Sequence, residues 1–183
     1  MRPTKEQAKE NRKRILETAA RLFRENGIHA VGVDAVMSGA GLTHGGFYGH
    51  FKSKSELADQ ALADAMQGAL AAEPDTLTLS DFTGTYLSPE HRDHAGAGCA
   101  IAALGPEMAR LPEKERQAAT DYIRARIARM EDLQQRQGDA PDRKKAIADL
   151  TSLVGALVMA RLVNDEALSD EILAAARETV TAA

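Results

Sequence analysis

Apolar side chains recur three and four positions apart along most of this sequence, which is the spacing of one face of an α-helix. The pattern predicts helices over residues 4–26, 33–39, 53–72, 99–110, 113–137, 142–163 and 168–181. A shorter apolar segment surrounds Leu79, Phe82 and Tyr86, and the SPEHRDHAGAG that follows is typical of a loop because of its Pro, Gly and His content. Strand signals are absent from the pattern, so it predicts an all-α fold of about nine helices.

Polar residues mark where several of these helices begin and end. Thr4 and Gln7 form a T-x-x-Q capping box, and Asn26-Gly27 is a typical helix end. Ser53 and Glu56 have the spacing of a second capping box. The helix that begins there runs towards Pro74, and we expect it to link an N-terminal domain to the remainder of the chain.

The stretch from residue 33 to 54, VDAVMSGAGLTHGGFYGHFKSK, predicts two short helices around a glycine turn. The first carries a buried stripe of Val33, Val36 and Met37. Gly41 permits the positive φ that closes such a corner, and Thr43 is a good N-cap for a second helix. That second helix would carry Phe47, Tyr48 and Phe51. This is the arrangement of a helix-turn-helix, whose second helix lies in the major groove of DNA.

Charge is divided unevenly along the chain. Residues 1–54 carry ten Lys and Arg against five acidic residues, whereas the remainder carries thirteen against twenty-two. The first third is therefore positive and the rest negative, although the whole chain has a net charge of −4. A basic N-terminal third fits phosphate binding. On the predicted first helix, we expect four basic side chains to be free to reach DNA phosphates: Lys9, Arg12, Lys13 and Arg14.

Several residue types stand at fixed spacing through residues 5–57: Gly27, Ala40, Gly41, Tyr48, His50, Phe51, Lys54 and Leu57. On these residues the segment resembles the DNA-binding domain of the TetR family of bacterial repressors. The family usually has a threonine or serine where this chain has Gly32, and glycine offers no hydroxyl to a phosphate. The resemblance implies a repressor that binds a palindromic DNA operator as a homodimer and is released by a small-molecule inducer.

The candidate DNA contacts divide into two groups. Tyr48, His50 and Lys54 resemble the family's phosphate-contacting set, which fixes register without reading sequence. Four residues at the start of the second helix should face base edges: Thr43, His44, Gly45 and Gly46. Because two glycines read bases poorly, we expect part of the specificity to come from DNA shape. Phe47 and Phe51 are expected to be core.

Two domains follow from this interpretation. Residues 1–52 form the predicted helix-turn-helix domain, and residues 53–183 form a helical bundle for ligand binding and dimerisation. The last two predicted helices carry more apolar surface than a small bundle covers, which favours self-association. No apolar run is long enough to span a membrane, the N-terminus lacks a secretory pattern, and there is a single cysteine. These features predict a cytoplasmic protein. We expect no cofactor.

The inducer is expected to bind within the C-terminal bundle, in a modest and mostly aliphatic pocket. Candidate lining residues, each of which is also a plausible core residue, are Met66, Phe82, Tyr86, Leu104, Met108, Tyr122, Arg126, Leu153 and Leu157, with Leu70, Ile123 and Val154 beside them. Tyr86, Tyr122 and Arg126 are the polar members that would orient a ligand.

Cys99 supports an alternative to pocket-based control. It precedes a predicted helix, where the positive end of the helix dipole favours a thiolate, so a DNA-binding sensor of electrophiles or oxidants gated by Cys99 remains open. A buried cysteine acting as a small hydrophobe explains the same residue. The side chains of His91, Asp93, His94 and Cys99 are of types that bind metals, but their spacing is weak evidence for a metal site. A small Cys/His enzyme would need further catalytic motifs, which the sequence lacks. We therefore predict neither a metal site nor an enzyme.

Overall fold

The computed structural model describes residues 4–138 and 140–182, so the outermost predicted domain limits, 1 and 183, lie outside the described residues. The α-helices are α1 (Lys5–Asn26), α2 (Val33–Gly39), α3 (Lys54–Ala71), α4 (Leu79–Tyr86), α5 (Pro89–Asp93), α6 (Ala100–Met108), α7 (Gln117–Arg136), α8 (Arg143–Leu162) and α9 (Glu166–Thr181). Three 3-10 helices lie between them, at His44–Gly49, Ala95–Ala97 and Glu113–Arg116. The described residues contain no strand, and the all-α prediction is confirmed.

Two helix features that the sequence predicts from adjacent residues, the first capping box and the glycine turns, are present in the structure. The Thr4 side chain accepts from the Gln7 amide at 3.2 Å, and the Gln7 side chain accepts from the Thr4 amide at 2.9 Å, so the first capping box is confirmed. Gly27 ends α1 with a φ of 85°, a backbone conformation that favours glycine. Gly41 likewise has a φ of 68° in the turn after α2.

The second predicted capping box is only half formed. Ser53 caps α3 by accepting from the Glu56 amide at 3.1 Å. Glu56, however, accepts from the amide of Lys52 at 2.7 Å rather than from Ser53. The start of α3 is still stabilised, because the Glu56 carboxylate accepts from the amide of Lys52, the residue before the N-cap.

Outside the recognition segment, two element predictions are wrong. The segment after Tyr86 is not a loop throughout, because Ser88 caps α5 through the His91 amide at 3.1 Å and Pro89 occupies the first turn. Proline suits that position since its missing N–H has no partner in a helix start. The long helix predicted from residue 113 begins instead at Gln117, after the 3-10 helix at Glu113–Arg116.

Two apolar cores hold the helices together. The first joins α1, α2, the 3-10 helix at His44–Gly49 and α3 to α6, so it continues well past residue 52; its largest members include Phe23, Phe47, Phe51, Leu57, Met66 and Leu104. The second core joins α4, α7, α8 and α9 around Leu79, Phe82, Met130, Leu133, Leu153 and Leu157. Helix α6 contributes to both cores through Leu104 and Ala102, and thereby connects the two halves.

Helices α8 and α9 leave apolar side chains exposed. Leu162 is 81% exposed, and Ile147, Val158, Met159 and Leu168 are also exposed. Large apolar residues at neighbouring surface positions are unusual unless something covers them. No helix of the described ranges is both long enough and apolar enough to cross a membrane.

Candidate DNA-binding surface and ligand cavity

The segment predicted to be the recognition helix is a 3-10 helix at His44–Gly49 and does not extend to Phe51 as an α-helix. Three glycines in six residues oppose a longer α-helix, because glycine loses the most backbone entropy on ordering. Thr43 occupies the N-cap position, but its side chain makes no capping hydrogen bond. Its hydroxyl therefore remains available to another partner.

The residues predicted to face base edges are all exposed, in one continuous run: Thr43, His44, Gly45 and Gly46. Phe47 and Phe51 hold this run on the core, with 1% and 2% exposure and ring centroids 5.8 Å apart. The prediction that these two aromatics are core is confirmed. Tyr48 projects outward with 71% exposure.

His44 is held by a carboxylate from the first helix of the motif. Its Nδ1 bonds to Asp34 Oδ1, so the negative charge that would oppose a phosphate is engaged by the imidazole. A carboxylate accepts only, which places the hydrogen on Nδ1 and leaves Nε2 directed elsewhere. Nε2 can accept a hydrogen bond in the neutral ring and can donate one in the charged ring.

The residues predicted to contact phosphates differ in their surroundings. Lys54 donates from Nζ to the His29 carbonyl at 3.2 Å, which places its ammonium beside the α1–α2 turn. His50 is half-buried, and burial together with the nearby Arg12 charge lowers its pKa below the ordinary value. Both effects disfavour the protonated imidazole in the protein alone.

Arg12 is not free to reach DNA as the sequence suggests. Its guanidinium lies 4.5 Å from the centroid of the Phe51 ring and donates to the Gln60 side chain. A cation over an aromatic face is an attractive arrangement that fixes α1 against the recognition segment. Lys13 forms an exposed ion pair with Glu17 at 3.8 Å, which costs little to exchange for a phosphate.

A cavity of about 700 Å³ lies between α3, α4, α6, α7 and the segment from Ser88 to Cys99. It is lined by five of the nine predicted pocket residues, Met66, Phe82, Tyr86, Tyr122 and Arg126. The other four do not line it: Leu104 and Met108 belong to the first core, and Leu153 and Leu157 to the second. Their apolar spacing reflects packing between helices, which sequence periodicity cannot separate from a cavity wall.

Arg126 is buried at one side of this cavity, where Glu73 of the segment after α3 neutralises it. The same carboxylate accepts from Arg129 at 3.1 Å. Arg126 also donates to the Tyr122 hydroxyl at 3.3 Å and lies 5.1 Å from the centroid of the Phe82 ring. Its position is therefore set by the protein itself, and its charge is already compensated.

Cys99 lines the cavity at the N-cap of α6 and is partly exposed. Its backbone amide donates to His91 Nε2 at 3.0 Å, while His91 Nδ1 bonds to the Tyr86 carbonyl at 2.6 Å. A carbonyl only accepts, so His91 donates from Nδ1 and is neutral, and burial lowers its pKa. With both nitrogens occupied, His91 serves neither as a base for the Cys99 thiol nor as a metal ligand.

Arg24, which no sequence pattern distinguishes as a cavity residue, reaches the cavity from the far end of α1. Its Nε donates to the Gly96 carbonyl at 2.9 Å, across 72 positions of sequence. Nothing local distinguishes this arginine from the other basic residues of α1, because the contact depends on how the two halves pack.

The N-terminal third of the chain, which contains the candidate DNA-binding surface, is similar in sequence to known regulatory proteins. The model of the bacterial regulatory proteins of the tetR family matches residues 15–61. The transcriptional regulator AcrR of Shigella flexneri is 43% identical over 56 residues, which are 31% of this chain and 26% of AcrR. TtgR of Pseudomonas putida is 41% identical over 66 residues, 36% of this chain and 31% of TtgR. The alignments with these relatives thus span about a third of their length or less.

Solved structures extend the likeness over nearly the whole chain. A TetR-family regulator from Agrobacterium tumefaciens superposes with a TM-score of 0.77 at 22% identity, covering 96% of this chain and 100% of that one. The reduced form of E. coli NemR gives a TM-score of 0.75 at 21% identity, covering 93% and 95%. At this identity the likeness shows the fold, while the sequence match at the N-terminus carries the family signature. The predicted resemblance to the TetR family is confirmed over residues 15–61, and the whole chain has the fold of solved TetR-family regulators.

Proposed function

We propose that this protein is a transcriptional repressor that binds a palindromic DNA operator as a homodimer. The observation that supports this most directly is the exposed run Thr43–Gly46, held on two buried aromatics in the basic third of the chain. In this proposal Thr43 and His44 contact base edges, and the two glycines let the backbone approach the groove. Tyr48, His50 and Lys54 contact phosphates.

Selection of bound fragments from the source genome, at a stated salt concentration, tests this function. The expected result is enrichment of an inverted repeat whose half-sites are separated by about one helical turn or more. A variant with Thr43 and His44 both changed to alanine should no longer enrich the same repeat. Fragments without common sequence, recovered equally by both proteins, would contradict specific operator binding.

The exposed apolar side chains of α8 and α9 support the dimer. A second copy of the same face would cover Leu162, Met159 and Val158 in a two-fold arrangement. Leu162→Glu places a charge there while leaving the core of the protomer untouched. Sedimentation of the variant should show monomers at concentrations where the parent protein is dimeric, and an unchanged dimer would exclude this face.

The cavity supports release by a small molecule. A volume of about 700 Å³ suits a drug-sized ligand. Its walls include α3, which continues directly from the DNA-binding segment, and the start of α6, which packs in the first core. A ligand that binds more tightly to the arrangement with low DNA affinity shifts the protein towards that arrangement. The fall in DNA affinity is limited by the difference in ligand binding free energy between the two arrangements.

Cys99 supports a second candidate trigger. Because its side chain lines the cavity, an electrophile that enters could form a bond to the thiol. Operator binding of Cys99→Ser, before and after treatment with N-ethylmaleimide, distinguishes the two triggers. Release of the parent protein but not the variant would support the thiol, and equal release of both would exclude it.

A further inference from the structure

The first turn of α6 presents three backbone amides without an acceptor in the described part of the chain. The helix begins at Ala100, and the N–H groups of Ala100, Ile101 and Ala102 precede the first residue that can bond within the turn, Ala103. The Cys99 side chain at the N-cap makes no capping hydrogen bond. Ala100 is 5% exposed and lines the cavity, so this helix start is both buried and unsatisfied.

The Tyr86 hydroxyl lies beside the Cys99 thiol at the same end of the cavity, and no nitrogen or oxygen of the described residues accepts its proton. Tyr86 is 9% exposed and lines the cavity beside Cys99. Burial and the neighbouring thiol raise the pKa of Tyr86, so its hydroxyl keeps its proton. A buried donor of this kind is costly unless an acceptor is supplied.

Arg24 brings a positive charge to this end of the cavity. Its guanidinium donates to the Gly96 carbonyl but forms no ion pair with any carboxylate that the structure describes. Of the carboxylates that line the cavity, Glu73 is already shared by two arginines and Glu90 is exposed at the surface. Arg161, just behind Gly98, donates to the His91 and Arg92 carbonyls and adds a second positive charge, with the Asp93 carboxylate nearby.

We infer that the cavity is built for an amphipathic carboxylate, whose charged end lies at the start of α6 between Arg24 and the Tyr86 hydroxyl. This inference rests on the ligand-release part of the proposed function and names its ligand class. A carboxylate supplies acceptors to the open amides, the hydroxyl and the guanidinium together. The apolar body of the ligand lies along Met66, Ala69 and Phe82.

The same geometry couples the ligand to DNA binding. Arg24 belongs to α1, whose opposite face packs behind the recognition segment through Phe23 and Ile15. A carboxylate draws the guanidinium away from the Gly96 carbonyl and into the cavity. The charged end of the ligand therefore acts on a helix of the DNA-binding half without an intermediate element.

Calorimetry with matched probes tests the ligand class. The probes are decanoate, phenylbutyrate and indoleacetate, each paired with the alcohol of the same skeleton and used below its micelle concentration. We expect at least one acid to bind about tenfold or more tightly than its alcohol, as for hydrogen bonds to a charged group. In Arg24→Gln and in Tyr86→Phe that preference should fall, while Arg24→Lys should retain part of it.

Arg21→Gln is the matched control, since Arg21 lies one turn earlier on α1 and pairs with Glu25 at the surface. It should keep the full preference for the acid, and thermal melts establish that every variant is folded. Equal binding of acids and alcohols, no binding of any acid, or an undiminished preference in folded Arg24→Gln overturns the inference. Acids that bind through Arg24 but leave an operator complex intact support the ligand class and contradict release as the function.

Discussion

Glu107, near the end of α6, accepts a hydrogen bond from the backbone amide of Ile28 at 3.0 Å. The same carboxylate oxygen lies 3.4 Å from the His29 amide, and both amides belong to the turn between α1 and α2. Helix α6 thus touches the cavity at its first residue and the DNA-binding half at its last turn. Helix α6, which is nine residues long, therefore connects the cavity to the turn between α1 and α2.

Glu107→Ala should weaken communication between ligand and DNA. The two turn amides lose their acceptor, which lowers the free energy of unfolding by about 1 kcal/mol because solvent reaches the turn. The ratio of operator affinities without and with ligand should shrink in the same variant, measured by fluorescence anisotropy. Glu113→Ala removes an equal charge from an exposed position and should leave that ratio unchanged. If the ratio of operator affinities in Glu107→Ala equals that of the unchanged protein, α6 transmits the effect of the ligand through its apolar contacts alone.

Lys54 and Thr43 should have separable effects on operator binding. Lys54→Ala removes one phosphate contact, so binding to all sequences weakens and the slope of log affinity against log salt falls by about 1. Thr43→Ala should instead change the preference among related operators and keep the salt slope. Titrations at several salt concentrations with the operator and single-base variants measure both. If the two variants behave alike, the assignment of phosphate and base contacts is wrong.

Gly98→Ala should destabilise the cavity wall. A Cβ at this position would lie 2.5 Å from His91 Nε2 and 3.1 Å from Arg161 Nη2, and both side chains are held by hydrogen bonds. Overpacking of this kind costs about 1–3 kcal/mol, measured by urea unfolding. Gly84→Ala is the control, since its Cβ meets nothing within 4 Å in helix α4. That substitution should be neutral or stabilising by up to about 1 kcal/mol, and equal losses in both variants would refute the close approach.

Protonation of His91 should destabilise the protein in mild acid. Burial lowers the pKa of His91 in the folded state below its ordinary value of about 6.5. Above that value both states are neutral, and as pH falls towards the folded pKa only the unfolded state gains the proton, so stability is lost. Urea unfolding at about pH 7.5 and about pH 5.5 measures the loss. His91→Gln should reduce the loss but keep the part that arises from His50, whose pKa is lowered too.

Residues whose behaviour depends on near neighbours could be predicted from sequence. The Thr4 capping box, the positive φ of Gly27 and Gly41, and the limits of α2 all follow from a few adjacent side chains. The start of α5 at Pro89 is also predictable in this way, because serine followed by proline is itself a helix-start signal. Propensity alone did not reveal that the recognition segment would tighten into a 3-10 helix.

Residues whose role depends on packing between distant elements could not be predicted in the same way. Arg24 and Gly96, and likewise Glu107 and Ile28, meet only because α1 and α6 pack in one core. Periodicity identified Leu104 and Leu153 as inward-facing, but an inward residue can face a core or a cavity. Only the arrangement of neighbouring helices decides between the two.

The central claim, two copies of the segment beginning at Thr43 on one palindrome, is tested most directly by the stoichiometry of the DNA complex. Sedimentation of the protein with a duplex carrying the selected inverted repeat measures it, with a single half-site as the comparison. We predict two protein chains on each palindrome and a much weaker complex on the half-site. A single chain on each palindrome, or no complex even at low salt, would contradict the account.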